Sequence, residues 1–160
     1  MRLTRFADNA LRCLIYLARR PDETVRVGEV ADGMAMSEDH LLKVVQRLTE
    51  LGYVRTVRGR NGGVRLAVPA ASISVADVVR TTEENFALVP CFEPRRDACP
   101  IAWSCALPRA LDEALAAFFT SLDRYTVADL VPGGPDDDAH GRRSPRRLTH
   151  HAGQGPAPDR

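Results

Sequence analysis

The chain has 160 residues, of which 44% are hydrophobic and 27% charged, values typical of a soluble globular protein. This length allows one domain, or a small domain with an extension, and excludes a large multidomain enzyme. Residues 1–68 carry a net charge of +4 and residues 69–131 a net charge of −4, which indicates that only the amino-terminal half meets a polyanion.

The amino terminus gives an expectation about the compartment. The first eight residues lack the apolar segment and small-residue cleavage site of a secretory signal. No apolar run approaches the roughly 18 residues that a membrane helix needs. We therefore expect a cytoplasmic protein without membrane association, in which the four cysteines leave metal or redox chemistry open.

The first fifty residues are predicted to form three short helices. Thr4 caps the first, whose apolar residues recur at helical spacing until Pro21 ends it. A shorter helix covers residues 27–31. Ser37 caps the third helix. Its predicted buried face consists of Leu41, Leu42, Val45 and Leu48.

Beyond Gly52 the spacing of apolar residues changes from about 3.6 to 2, which predicts strands. The predicted strands cover residues 53–58 and 64–68, joined by a glycine-rich hairpin tip at residues 59–63. Three short helices followed by a two-stranded ribbon is the layout of a winged helix-turn-helix. We expect a mostly α protein with a small β-ribbon, whose DNA-binding domain spans residues 1–68.

Residues 69–131 are predicted to hold a short helix at 75–81, a cysteine-containing loop and a long helix that begins near Pro108. The long helix carries an apolar stripe suited to dimerisation, formed by Leu111, Leu115, Phe118 and Leu122. Residues 132–160 contain five prolines, five glycines and one large aliphatic residue. Such a segment cannot bury a core and is predicted to be a disordered tail.

Residues 54–66 contain four arginines and no acid. Arginines on a tight hairpin can enter a narrow minor groove, while glycines let the backbone approach phosphates. The polar side of the third helix has the residue types that anchor phosphates and contact base edges in the major groove. That helix alone is explained equally well as a solvated face, but the adjacent basic ribbon favours binding of double-stranded DNA. The candidate DNA-binding residues are Ser37, His40, Lys43, Gln46, Arg47, Arg58, Arg60, Asn61, Gly62 and Gly63.

Three cysteines, Cys91, Cys99 and Cys105, lie within fifteen residues and are separated by seven and five positions. No C-x-x-C pair is present, so the sequence lacks the mark of a typical structural zinc site. Wide spacing in a loop suits an iron–sulfur cluster better than a single tetrahedral ion. A redox-active thiol set and a zinc site with one non-cysteine ligand remain alternatives. Cys13 falls on the apolar face of the first helix and is assigned to the core.

Four sequence blocks resemble a known family. They are residues 1–8, residues 40–54, the ribbon block Val57-Arg58-Gly59-Arg60-Asn61-Gly62-Gly63-Val64-Arg65-Leu66, and residues 123–130. Together they resemble the iron–sulfur transcriptional regulators that include the nitric-oxide-sensing repressor NsrR and the regulator IscR. The resemblance covers about residues 1–131.

The resemblance implies a homodimer whose paired winged helices bind a near-palindromic operator. It also implies a [4Fe-4S] or [2Fe-2S] cluster held by Cys91, Cys99 and Cys105, with Asp8 of the partner subunit completing the site. The cluster interval of seven residues is longer than in IscR-like relatives, and no histidine closely follows the third cysteine. Both departures favour the nitric-oxide-sensing branch.

The leading hypothesis is a repressor that leaves its operator when its cluster reacts with nitric oxide. The alternatives are a regulator of the IscR type that senses iron–sulfur or redox status, and a zinc- or thiol-based regulator. An enzyme is not expected, because the sequence offers no cofactor loop, no nucleophile–base constellation and no second cysteine set.

Overall fold

The computed structural model describes residues 2–60, 62–89, 101 and 104–131. These residues form helices and a two-stranded sheet in the order α1 (Arg5–Ala18), α2 (Val27–Gly33), α3 (Glu38–Glu50), β1 (Val54–Val57), β2 (Gly63–Leu66), α4 (Val75–Thr82) and α5 (Leu107–Leu122). The predicted fold class, a mostly α winged helix-turn-helix with a small β-ribbon and a long final helix, is confirmed. The predicted tail at 132–160 lies outside the described residues.

Side-chain caps define two of the helix starts. The Thr4 hydroxyl accepts a hydrogen bond from the Ala7 N–H at 3.2 Å, as predicted for the start of α1. The Ser74 hydroxyl caps α4 in the same way through the Asp77 N–H at 3.4 Å. Ser37 occupies the cap position of α3, but its side chain makes no capping hydrogen bond. The predicted cap at Ser37 is therefore wrong in its chemistry, and its hydroxyl is exposed.

The buried face of α3 corrects one residue of the prediction. Leu42 is 50% exposed, whereas Val44 is 1% exposed and fills the core position. Helical geometry explains the difference, because residues three, four and seven positions after Leu41 share its face, and the next residue is rotated by about 100°. The buried set is Leu41, Val44, Val45 and Leu48.

One hydrophobic core unites the winged helix with residues that follow it in sequence. Ile73, Val78 and Val127 are fully buried in the same cluster as the apolar residues of α1 and α3. The chain after α5 returns to this core, where the Val127 N–H donates to the Ile73 carbonyl at 2.9 Å. The Val75 N–H likewise donates to the Tyr125 carbonyl at 3.0 Å. Both ends of the 69–131 segment are thus anchored in the core that α1 and α3 share.

Backbone hydrogen bonds join the ribbon to the segment between α1 and α2. β1 pairs antiparallel with β2, with Val54 opposite Leu66. On the other edge of β2, Val64 exchanges two backbone hydrogen bonds with Val25, at 2.8 and 3.0 Å. Val54, Val64 and Val25 are all buried. The ribbon is therefore fixed to the body from its base at Val54 up to Val64, close to the hairpin tip.

Helix α5 has no fully buried residue. Its last turns are fastened to α4, since the Arg80 guanidinium makes two hydrogen bonds of 2.9 Å to Asp123 and lies 4.5 Å from the centre of the Phe119 ring. These hydrogen bonds lower the pKa of Asp123 and raise that of Arg80. Phe86 packs edge-on against Phe119, with ring centres 5.0 Å apart. In the described part of the chain, no helix has the length and apolar character to span a bilayer.

We expect Cys13 to resist alkylation in the native protein. Its side chain is fully buried, and desolvation raises the pKa of its thiol to about 12. Because the thiolate is the reactive form, native protein treated with iodoacetamide at pH 8 should carry no label at Cys13, and urea should expose it. Mass spectrometry of metal-free protein measures this, with the half-buried Cys105 as the internal control. Equal labelling rates for the two cysteines without urea would contradict the prediction.

Candidate functional site

The polar residues predicted on α3 are all exposed. They are Ser37, His40, Lys43, Gln46 and Arg47. Lys43 has no ion-pair partner among the described residues, so its charge is free to meet an anion. Gln46 donates to the Glu50 carboxylate at 3.2 Å. The face of α3 opposite the core therefore offers one cation and hydrogen-bonding side chains.

Arg47 occupies a different position from the other α3 residues. Its guanidinium lies 3.4 Å from the Glu50 carboxylate and donates to the Thr81 carbonyl, also at 3.4 Å. Thr81 is near the end of α4. Arg47 therefore bridges α3 to α4, and a contact with a phosphate would compete with that bridge.

The register of the ribbon places Arg55 directly opposite Arg65. Like charges opposite each other in an antiparallel pair destabilise the pairing. The Arg65 Nε atom is also buried without a hydrogen-bond partner. A buried donor without an acceptor costs free energy, so both the register and the burial of Arg65 make the free ribbon less stable.

The whole ribbon is electrostatically uncompensated within the described chain. No acid there pairs with Arg55, Arg58, Arg60 or Arg65. Some arginines elsewhere are paired with acids, as Arg109 is with Glu113 at 2.9 Å. The ribbon thus concentrates four cations without counter-charges in one short segment, an arrangement suited to a polyanion.

The hairpin tip needs its glycines for reasons of backbone space. Gly59 has a φ of +114°, which side chains with a Cβ rarely adopt, and its carbonyl accepts from the Gly62 N–H at 2.9 Å. A Cβ on Gly62 would lie 2.5 Å from the Val57 carbonyl oxygen, and one on Gly63 would collide with the Val25 carbonyl. Asn61, predicted to bind DNA, lies outside the described residues.

An acidic groove that the sequence analysis missed lies beside the ribbon. It is lined by Arg26, Val27, Gly28, Glu29, Asp32, Glu38, Gly62 and Gly63. Three carboxylates against one guanidinium make this side repel phosphates. Gly62 and Gly63, two of the predicted DNA-binding residues, thus border a groove that disfavours phosphates.

Two of the four predicted metal ligands lie within the described residues. Cys105 is half-buried and precedes the start of α5. Asp8 is in the first turn of α1, with its side chain 54% exposed and 3.5 Å from the Arg12 guanidinium. Cys91 and Cys99 lie outside the described residues, among which no group of three His, Cys, Asp or Glu could hold a metal.

The donor chemistry fits an iron–sulfur site. Cys105 and Asp8 are both accessible, and thiolate and carboxylate are ligands that iron accepts. Cys13, by contrast, is fully buried, and its raised pKa opposes formation of the thiolate that ligation requires. Of these two described cysteines, Cys105 is therefore the one suited to bind iron, and it belongs to the predicted ligand set.

Further contacts that the sequence analysis missed lie at the end of α4, in a segment we call the junction (residues 81–86). The Thr4 N–H donates to the Glu83 carboxylate at 2.6 Å. The Thr81 carbonyl accepts a hydrogen bond from Arg47, and the Phe86 ring packs against Phe119 of α5. The two hydrogen bonds join residues that are 79 and 34 positions apart in the sequence. No local pattern could therefore indicate them.

Comparison with known proteins agrees with this architecture. The family model "Rrf2: Iron-dependent Transcriptional regulator" matches residues 3–133. The HTH-type transcriptional regulator NsrR of Bacillus subtilis is 44% identical over 137 residues, covering 85% of this chain and 94% of that protein.

Two solved structures share the fold. The oxidized form of Staphylococcus aureus CymR superimposes with a TM-score of 0.66 at 26% identity, covering 82% of this chain and 97% of that one. The IscR of T. potens also gives a TM-score of 0.66, at 21% identity, covering 81% and 85% of the two chains. The second likeness establishes the fold alone.

Replacing Gly63 by alanine should destabilise the protein and displace the ribbon, because the added Cβ collides with the Val25 carbonyl. Forced overpacking of this kind costs about 1–3 kcal/mol, measurable by urea denaturation. Gly28→Ala is the matched control. Gly28 lies within α2, and an added Cβ would be 3.6 Å from the Glu38 carboxylate of α3, an ordinary contact distance. The control should be neutral or stabilising. Equal stability of the two variants would contradict the proposed role of Gly63.

Proposed function

The chain belongs to the Rrf2 family of iron-dependent transcriptional regulators, and we propose that it is a DNA-binding repressor whose iron–sulfur cluster senses nitric oxide and thereby releases the operator. The family match covers residues 3–133, and the Bacillus subtilis relative named NsrR is matched over 94% of its length. The relatives are named as transcriptional regulators, which supports regulation over catalysis. The observation that carries DNA binding is the basic ribbon, whose register sets Arg55 opposite Arg65 and whose arginines have no acid partner among the described residues.

The DNA contacts follow from the two exposed surfaces. Helix α3 enters the major groove, where Lys43 anchors a phosphate and Gln46 reaches base edges. The hairpin tip lies along the minor groove, where Arg58 and Arg60 meet the negative potential. The acidic groove disfavours phosphates where it borders the hairpin at Gly62 and Gly63.

We propose a homodimer formed through α5. Its apolar stripe (Leu111, Leu115, Phe118 and Leu122) is only half-buried, and none of the residues of α5 is fully buried. A sixteen-residue helix whose apolar stripe is only half-buried is typical of an interface. Two-fold pairing then presents two α3 helices at a fixed spacing, which matches a near-palindromic operator.

The proposed cluster, [4Fe-4S] or [2Fe-2S], is held by Cys91, Cys99 and Cys105, with Asp8 supplied by the partner subunit. When bound, it supplies iron that reacts with nitric oxide. The Asp8 carboxylate pairs with Arg12 at 3.5 Å, so ligation of the cluster would replace this ion pair. That exposed ion pair is weak and is given up at low cost.

The junction provides a route from the cysteine segment to α3. The cysteine segment follows the junction in sequence, and Phe86 packs against Phe119 of α5. At the other end of the junction, Thr81 accepts a hydrogen bond from Arg47 of α3. We propose that a shift of the junction alters the position of α3 through this contact.

We expect Arg60→Ala to weaken binding to an operator selected from a random duplex library. Loss of an arginine contact in the groove costs about 1–3 kcal/mol, and the salt dependence of binding should fall by about one unit if the contact is to phosphate. Fluorescence anisotropy at several salt concentrations measures both.

Arg109→Ala is the matched control, because it removes the same charge from an exposed position on α5. The control should bind with nearly wild-type affinity. Equal losses for the two variants would show that net charge, rather than the hairpin tip, determines affinity.

We expect protein purified without oxygen to be brown and Cys99→Ala to be colourless, because loss of one thiolate prevents assembly of the cluster. The Cys13→Ala control should keep the wild-type spectrum, since Cys13 lies in the core. Nitric oxide should bleach the wild-type chromophore and release the operator together. A colourless wild-type protein that contains zinc by elemental analysis would favour the zinc-based alternative, and a chromophore indifferent to nitric oxide the IscR-type one.

A further inference from the structure

Leu42 is the large hydrophobic residue that α3 leaves exposed. Half of its surface is accessible, although α3 fills its core positions with four other apolar residues. Leu42 is also absent from the partly buried residues that pack against the core. An isolated exposed leucine is ordinary on most surfaces, but this one lies on the helix that faces DNA.

The neighbours of Leu42 give its surroundings a distinct chemistry. Gln46, four residues later, lies beside it on the same helical face, and Lys43 follows it in sequence. Both side chains are exposed and polar. On the other side of Leu42 lie the exposed carboxylates of the first turn, Glu38 and Asp39. Leu42 therefore contributes an isolated apolar contact within a surface of polar groups.

We propose that Leu42 packs against the C5-methyl group of a thymine in the major groove and so selects an A·T pair at one position of each half-site. This inference rests on the proposed DNA-binding function and adds to it a residue that determines specificity. Thymine is the base that displays a methyl group in the major groove, and apolar side chains recognise it by contact. A leucine against the polar edge of another base would leave that base's donors or acceptors without partners.

The isolation of Leu42 from other exposed hydrophobic residues favours this occupant over a protein partner. Protein contacts need a contiguous apolar patch, and the other exposed large hydrophobics of the described chain lie off α3, at Val68, Ile101 and Leu107. The surface near Leu42 instead includes the unpaired Lys43 and belongs to the same domain as the unpaired ribbon arginines. A polyanion with methyl groups in its groove matches both properties.

Deoxyuridine substitution tests the proposal directly, since it removes the methyl group of thymine and nothing else. Wild-type protein first selects a duplex from a random library, and each thymine is then replaced in turn. We expect one position per half-site at which deoxyuridine weakens wild-type binding by about three- to tenfold, the effect of losing a buried methyl contact. Leu42→Ala should bind the thymine and deoxyuridine duplexes equally at that position.

Val68→Ala is the matched control, because Val68 is also an exposed aliphatic residue but lies outside α3. It should keep the wild-type ratio of affinities at every thymine. A second variant, Leu42→Gln, should shift the selected base at that position from thymine to adenine, since glutamine makes two hydrogen bonds to adenine.

The outcomes separate this inference from the proposed function. If wild-type protein enriches no sequence from the library, DNA binding and the role of Leu42 both fail. If it enriches a sequence, but Leu42→Ala retains the wild-type preference for thymine over deoxyuridine at every position, only the role of Leu42 is wrong. Loss of the thymine preference at one position, with the Leu42→Gln shift, supports the proposal.

Discussion

The burial of α1 is the constraint on which the other elements depend. One face of this helix packs against α3, α4 and β2, and its residues Ala10, Leu14 and Leu17 are essentially inaccessible to solvent. Because close-packed interiors tolerate little displacement, α1 fixes the DNA-facing helix and the helix that leads toward the cysteine segment in one frame. A conformational change therefore requires contacts that lie outside this close-packed centre.

The junction at residues 81–86 meets that requirement. Its contacts are exposed hydrogen bonds and an edge-on aromatic pair, such as Thr4 with Glu83 and Phe86 with Phe119. Exposed polar contacts contribute little free energy and are exchanged readily, whereas displacing Leu14 or Leu17 would open a cavity in the core. The fold thus combines a rigid centre with more easily exchanged contacts between α4, α3 and α5.

Local periodicity explains which parts of this arrangement could be predicted. Helical spacing located α1, α3 and α5, and the change to alternation located the ribbon, because each pattern reports burial on one face. Leu42 is exposed despite its hydrophobicity because helical spacing, and not residue type, decides which positions after Leu41 are buried. The bridge between Val25 and Val64 and the pair of Arg80 with Asp123 join distant residues without any repeating pattern. At the candidate site, exposure of the α3 polar face was predictable, but the pairing of Arg47 with Thr81 depends on tertiary packing.

The ribbon shows why register, rather than composition, decides function. Counting arginines between residues 54 and 66 indicates a basic segment, but only the strand pairing places Arg55 opposite Arg65. That arrangement weakens the free ribbon through repulsion between the two cations. A phosphate near the exposed Arg55 side chain would reduce this repulsion. Since a ligand that binds only the folded state stabilises it, DNA binding and stability of the ribbon are coupled.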